Sequence, residues 1–485
     1  MASLDELLHE VRRIEQHRVE LTEKRIKSIY KSLAKDLDSF IGEEYIKYAD
    51  KDGKLFLSYL DSKNKRAKFL EEVVKNVDGI SPQVRQELID LVDMTYEKSY
   101  KGIVKAVKEA DDTKELLSGT KTLVRPEVLK QAVNNNIEKL TLNAVMEKHR
   151  AEIIADIQQT LNVGLMQGDR YETMAKRIQE RLGVSYSKAS NIARTESHRN
   201  IESGLMDGAK ETANALEGSD LIYAATWRTM KDQRVRPQQR RKTKKGWVTT
   251  MSKSGADHQK MEGVTIAVGE QFQLEPDVFA ECPGKSGTAR NDCRCRCYLR
   301  YRLLTPQEFY KLTGRNITLT KKQEETIKDY TGIYGKQVNA YMNGKTSKIT
   351  AHEESLIDSL HNILEKTIIT EDCVKYRGGG LSVFGDMKNA VLSDPQKAVG
   401  MTLTNRGFMS LSDSQKIAKT FSNPDYDKLI LYVMDIPKGT KGLDLSALSI
   451  LDYEKETLLQ DHTKFKITKV VEKEDRIVFK CKVLP

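Results

Sequence analysis

Apolar residues recur at helical spacing through the first two hundred residues, and short extended runs take over toward the end of the chain. This change of period constrains the fold more than any single motif. Near the N-terminus Leu4, Leu7, Leu8, Val11 and Ile14 mark one helical face, and Phe69, Val73, Val74 and Val77 mark another. Charged residues fill the other faces, while KDGK at 51–54 and GISPQ at 79–83 carry turn residues between helices. Helical spacing continues from about 121 to 205, through NAVMEKHRAEIIADIQQTLNVGLMQG and KASNIARTESHRNIESGLMDGAKETA. From about 221 the texture changes to LIYAATWRTM, then a basic run, then Gly- and Pro-punctuated sequence up to CPGKSGTARNDCRCRCYLRY. Near Leu304 the segment TPQEF caps a new helix. Two helical stretches come next, TKKQEETIKDYTGIYGKQVNAYMNG and HEESLIDSLHNILEK. Then come the short extended runs CVKYRGGG, KLILYVMDI, KFKITKVV and RIVFKCKV. Helices first and strands afterwards predict an α+β domain at this end.

At 485 residues the chain exceeds what one core organises. The expected fold class is multidomain: mainly α N-terminal and middle regions with a small β-containing part, then an α+β domain. The expected boundaries are 1–120 for a helical region, 121–305 for a middle domain, 306–316 for a linker and 317–485 for the α+β domain. No apolar run approaches the ~20 residues of a membrane span, so no membrane anchor is expected. The opening MASLDELLHEVRRIEQHR lacks the apolar stretch of a cleaved secretory signal. Six cysteines are too few for a disulfide scaffold and fit a reducing cytoplasm. Lysine and arginine total 80 against 70 acids, a net charge of +10. Between Arg228 and Lys245 stand nine basic residues and one acid. Such a patch fits a polyanion, an acidic protein surface or a solvated loop.

Cys282, Cys293, Cys295 and Cys297, with His258 upstream, raise the question of zinc. Zinc sites usually pair ligands as C-x2–4-C around a turn, whereas C-x-C-x-C in a strand sends alternate residues to one face. The spacing therefore argues against a metal, and none is expected. IARTESHRNIESG at 192–204, TWRTMKDQRVRP at 226–237, DHQKMEG at 257–263, then CPG with NDCRCRC at 291–297, succeed one another in a fixed order. In that order and spacing they resemble the phage Mu F-like minor head (head morphogenesis) proteins over about residues 120–305. A basic insert that begins QQRRKTKKGWVTT separates the arginine motif from the DH motif and departs from the family pattern. The resemblance implies a structural protein inside the head near the portal, with the portal and other head proteins as partners. Packaged DNA is a further partner if the 228–245 patch meets phosphates.

Three separated elements of the last third carry a chemical argument. Tyr376-Arg377-Gly378-Gly379-Gly380 places a planar fork of donors, suited to pyrophosphate, beside residues that let a ligand approach the backbone. Gly407-Phe408-Met409-Ser410-Leu411-Ser412 carries short hydroxyls on a strand. Tyr453-Glu454-Lys455-Glu456 carries two carboxylates which, on an extended segment, face the same way. Paired carboxylates repel unless a cation or a centre of developing positive charge lies between them. Arg, then Ser-x-Ser, then Glu-x-Glu, over about 317–485, resembles the mono-ADP-ribosyltransferase toxins of the R-S-E pattern. Leu411 stands where that family often has Thr.

This second resemblance implies NAD as a substrate rather than a redox cofactor, with no metal. It implies Glu456 as the catalytic carboxylate, Arg377 and Gly378 at the NAD phosphates, and Ser410 as the residue that orients Glu456, with Ser412 as a second contact. Glu454 would position or deprotonate the acceptor, and a Glu there implies arginine. Asp444 to Tyr453 would read a host protein acceptor. Joined, the two resemblances predict a virion head protein carrying an arginine-directed ADP-ribosyltransferase, located in the particle and in the host cytoplasm. The alternative is a structural head protein with an inactive C-terminal binding domain. A nuclease is disfavoured, because no carboxylate–metal constellation accompanies the basic patch.

Overall fold

The computed structural model describes residues 2–56, 58, 60, 63–110, 113, 136–216, 218–243, 246–251, 255–422, 428–446, 448 and 455–484. Glu454, most of the Asp444–Tyr453 stretch, and Lys244 and Lys245 of the basic patch lie outside the described residues. The chain divides into two compact units. The first comprises Met1–Thr212, Thr226–Val264 and Gln271–Tyr301, and the second Ala213–Ala225, Thr265–Glu270 and Arg302–Pro485.

Four long helices build most of the first unit: α1 (Leu4–Tyr48), α2 (Lys63–Glu109), α3 (Asn136–Gln167) and α4 (Tyr171–Ala215). Helix α1 starts at a capping box in which Ser3 and Glu6 satisfy each other's backbone N–H. Ile26, Leu33, Leu37 and Ile41 of α1, Phe69, Val73 and Leu88 of α2, Ile157 and Leu161 of α3, and Ile178 and Leu182 of α4 share one buried core. The expected turn at 51–54 is present, with Asp50 Oδ1 accepting from the Asp52 and Lys54 N–H groups. The expected turn at 79–83 is not, because α2 runs through Pro82. Around that proline, Ile80, Val84, Leu88 and Leu91 keep helical spacing into the core. Burial of that stripe outweighs the one hydrogen bond the ring removes.

The 192–204 motif is folded into the middle of α4. Glu202 is fully buried, pairs with Arg12 at 2.7 Å and accepts from the Leu299 N–H at 3.1 Å. At Gly204 a Cβ would lie 2.5 Å from the Tyr96 carbonyl, so only glycine lets α4 approach α2 this closely.

Strands β1 (Ile222–Arg228), β4 (Thr265–Ala267) and β7 (Tyr298–Leu304) pair in the order β4–β1–β7. The basic insert is an antiparallel hairpin, β2 (Gln238–Thr243) with β3 (Gly246–Met251). Ahead of it the basic residues have local partners. Arg228 and Lys231 meet Glu262 at 3.2 and 3.4 Å, Arg234 meets Asp232 at 3.3 Å, and Arg236 donates to the Cys293 carbonyl. A further hairpin joins β5 (Phe272–Glu275) to β6 (Val278–Ala280).

In the second unit, Pro306–Thr313 of the expected linker form helix α5. A Thr305/Glu308 capping box starts it and Gly314, in the left-handed region at φ 73°, ends it. A helical layer comes next: α6 (Lys321–Asp329), a π-helical turn (Tyr330–Tyr334), α7 (Gly335–Met342) and α8 (Ala351–Glu365). The remaining strands are β8 (Cys373–Gly379), β9 (Thr402–Thr404), β10 (Met409–Ser412), β11 (Leu429–Ile436), β12 (Gly442–Asp444), β13 (Glu456–Leu459), β14 (Lys464–Glu472) and β15 (Arg476–Leu484). They pair in the order β12–β13–β10–β8–β11–β15–β14–β9, with β11 parallel to β15. Ile327, Tyr330, Val338, Leu356 and Leu360 of the helical layer pack with Phe408, Leu445 and Leu458. Met409, Leu411, Leu459, Ile430, Tyr432 and Phe479 belong to a second core. Alternation along β10 and β13 thus separates two apolar sets, as half-buried strands require. The fold is multidomain, helical first and α+β at its C-terminal end.

Candidate active site

Strand register brings the three C-terminal motifs together. Antiparallel pairing of β10 with β13 sets Ser412 opposite Glu456 and Ser410 opposite Leu458. The other side of Ser412 pairs with Tyr376, the residue before Arg377. Glu456 is 8% exposed, a buried carboxylate at the first position of its strand. Its carbonyl accepts from the Leu445 N–H at 2.8 Å, which fixes the strand start against β12's exit. The residue before it, Lys455, is left-handed at φ 45°. The expected extended Glu-x-Glu run is therefore bent at its middle residue, and β13 begins only at Glu456.

Arg377 is paired with Tyr432 across β8 and β11, and the Tyr432 hydroxyl donates to the Gly380 carbonyl at 2.8 Å. The tyrosine thus holds the turn that ends the arginine strand. Arg377 Nη1 is buried with no hydrogen-bond partner. Desolvation pushes the guanidinium's pKa down, partly offset by Tyr330 and Tyr432. A partly buried cation with a buried, unmet donor is costly, and an anion with paired oxygens relieves both the charge and the donor. The residue after it, Gly378, has a packing reason of its own. A Cβ there would lie 1.8 Å from the carbonyl of Ala418 in helix α9 (Gln415–Thr420).

One phenol links these groups. Tyr330 stands at the start of the π-helical turn, and its pKa responds to Ser410 and to the charges of Glu456 and Arg377. Burial is the largest reason that its hydroxyl is pushed up to about 12. Asn339 of α7 donates to the same oxygen at 2.6 Å, and Asn339 Oδ1 is buried without a partner. Phe408 packs edge-on against the Tyr330 ring, with centroids 5.8 Å apart. The register thus differs from the sequence expectation: Ser412 stands opposite Glu456 across the ladder, and Ser410 stands opposite Leu458. The Ser412 hydroxyl also accepts from the Ser414 N–H at 3.1 Å. Sequence reasoning misses Tyr330 and Asn339, which read there as ordinary positions of a leading helix. Of the cysteines, Cys282 lies beside Ser203, Cys293 is exposed, and Cys295 and Cys297 are buried against His258.

The ADP-ribosyltransferase exoenzyme family matches residues 306–483, and the family of phage Mu protein F like proteins matches residues 155–300. The chain joins a Mu F-like domain to an ADP-ribosyltransferase domain. It is 27% identical over 282 residues to the minor head protein GP7 of Bacillus phage SPP1, covering 58% of this chain and 81% of that one. It is 22% identical over 496 residues to the NAD(+)–arginine ADP-ribosyltransferase EFV of Enterococcus faecalis, covering 87% and 94%. A solved structure similar to the transferase domain is Plx2a, an ADP-ribosyltransferase toxin from Paenibacillus larvae. That likeness has 22% identity and a TM-score of 0.29, and covers 34% of this chain and 88% of that one.

An ADP-ribosyltransferase consumes NAD as a substrate, and its reaction needs no metal. The transferase domain offers groups that fit NAD: the unmet donor of Arg377 for a phosphate oxygen, and the unmet Asn339 carbonyl for a hydroxyl or amide N–H. Among the described residues, no helix is long and apolar enough to cross a membrane.

Proposed function

We propose that the transferase domain moves ADP-ribose from NAD to arginine side chains of a protein acceptor. Glu456 is the catalytic carboxylate, Arg377 the phosphate anchor, and Ser412 and Ser410 the residues that hold the carboxylate's surroundings. The observation that carries this reading is the strand register, which sets Ser412 opposite the buried Glu456 on one side and opposite Tyr376, the residue before Arg377, on the other.

NAD supplies the bond that breaks, between the ribose carbon and the nicotinamide nitrogen. Nicotinamide leaves with the electron pair, and an acceptor nitrogen bonds the same carbon and then loses a proton. Arg377 grips the phosphates by a planar fork and so sets where the ribose falls. Glu456 stabilises positive charge as it develops there. Burial strengthens that interaction, and the backbone bond to Leu445 removes the need to reorganise. Glu454 positions the acceptor guanidinium or takes its proton, and the loop from Asp444 to Tyr453 reads the acceptor protein. The arginine assignment draws on that glutamate and on the activity named for the Enterococcus relative.

We assign residues 1–120 and 121–305 to head assembly, 306–316 to the connection and 317–485 to transfer. The Mu F-like match and the SPP1 relative support a place in the virion with other head proteins as partners. Within that frame we propose a position inside the head near the portal, contact with packaged DNA through 228–245, and action on a host protein in the host cytoplasm.

Mass spectrometry of a labelled acceptor tests the chemistry. ADP-ribose is expected on arginine. Glu454→Gln is expected to abolish arginine labelling and spare NAD hydrolysis; loss of both would assign Glu454 a different role.

A further inference from the structure

The cysteines whose spacing argues against a metal are folded differently from the strand that argument assumed. Strand β7 begins only at Tyr298, and the residues before it form a turn in which Arg294 is left-handed at φ 57°. The turn leaves Cys293 exposed. Alternation along the next three residues then sends Cys295 and Cys297 inward and Arg296 outward, where it pairs with Asp232 at 2.6 Å. The same period that argued against a site therefore delivers two sulfurs to one point.

His258 meets them there. Its Nδ1 lies 3.6 Å from Cys295 Sγ and 3.5 Å from Cys297 Sγ, and the three ligand atoms lie within 4.8 Å of one another. With Zn–S of about 2.3 Å and Zn–N of about 2.0 Å at a tetrahedral angle, a nitrogen–sulfur edge of about 3.5 Å results. The two observed nitrogen–sulfur spacings match that edge.

The surroundings fix the imidazole for that role. His258 Nε2 meets Asn291 Oδ1 at 3.1 Å. Asn291 is 1% exposed, and its amide nitrogen donates to Glu275 at 2.8 Å and Thr288 at 2.9 Å. Its oxygen must therefore face the histidine and accept, so Nε2 carries the proton and Nδ1 presents its lone pair to the sulfurs. The fully buried Trp227 packs edge-on against His258, with ring centroids 5.8 Å apart. From α4, His198 presents an Nε2 that is buried without a hydrogen-bond partner.

We propose that Cys295, Cys297, His258 and His198 bind one zinc ion, which fastens the 293–297 turn and the 258 loop to α4. Two thiolates, two neutral imidazoles and Zn²⁺ sum to zero charge, which suits a buried position. Two sulfurs and two nitrogens favour zinc over harder cations. Four protein ligands leave no open position, so the role is structural and separate from ADP-ribosyl transfer.

The test uses the full chain. Metal analysis of protein purified without chelator is expected to find one zinc per chain. After exchange with cobalt chloride, sulfur-to-cobalt charge-transfer absorption is expected. Cys293→Ser is expected to keep both signals, and Cys295→Ser and Cys297→Ser to lose them. Because those two variants can fail to fold, the unaltered chain is decisive. Folded protein holding under about a tenth of an equivalent after incubation with zinc chloride, with no such cobalt absorption, would overturn the site. An unchanged cobalt spectrum in His198→Ala would overturn the fourth ligand.

Discussion

The charge relations around Tyr330 give a phenol a place at the centre of the proposed site of Arg, Ser and Glu. Its hydroxyl accepts from Asn339 at 2.6 Å, and it lies in the opposing fields of Glu456 and Arg377. Tyr330→Phe removes that acceptor and leaves the buried Asn339 amide unpaired, at a cost of about 1–3 kcal/mol in stability. As a positioning residue, its loss is expected to lower kcat while KM for NAD changes little. The pH dependence has a definite sign. Burial raises the folded pKa to about 12, above the ordinary value near 10. The folded state then holds a proton that the unfolded state releases. Tyr330's contribution is therefore complete below about pH 10 and is lost as pH rises toward about 12. Denaturant titrations of wild type and Tyr330→Phe across that window are expected to show a smaller alkaline loss in the variant. Arg377, Ser410, Ser412 and Glu456 are legible in sequence because each motif pairs a chemical residue with glycines or a strand. Tyr330 and Asn339 are not, because a π-helical turn sets their phase and their partners lie in distant strands.

Elements place the site through close backbone approaches. Helix α9 lies so near β8 that Gly378 has no room for a methyl group. Gly378→Ala is expected to displace α9 or the arginine strand, costing about 1–3 kcal/mol of stability. NAD affinity should fall with it, measured by denaturant unfolding and by titration. Unchanged stability would mean that α9 yields freely. Strands β8, β11, β14 and β15 are readable from their apolar and β-branched runs. The left-handed Lys455 is not, because nothing in Tyr-Glu-Lys-Glu marks a bend. The expected turn at 79–83 fails for the opposite reason: a tertiary core overrides a local signal at Pro82.

At the scale of the whole molecule, a Mu F-like domain and an ADP-ribosyltransferase domain occupy one chain, and the basic run 228–245 falls within the sequence of the first. Of the basic run, Arg228, Lys231 and Arg234, ahead of the hairpin, are paired with local carboxylates. Neutralising the six basic residues from Arg236 to Lys245 is expected to flatten the salt dependence of DNA binding, by about one unit of log–log slope for each phosphate those side chains neutralise. An unchanged slope would assign the patch to a protein partner. Order and composition make both family resemblances readable; the convergence of His258 with Cys295 and Cys297 is hidden, since it depends on a turn and on a histidine far upstream. The most direct measurement compares transfer of labelled ADP-ribose from NAD to bacterial lysate proteins by the full chain and by its Glu456→Gln variant. The variant is expected to keep its thermal stability and lose transfer by at least about a hundredfold, as befits one transition-state charge interaction. Equal labelling by a folded Glu456→Gln chain would contradict the assignment of Glu456 as the catalytic carboxylate.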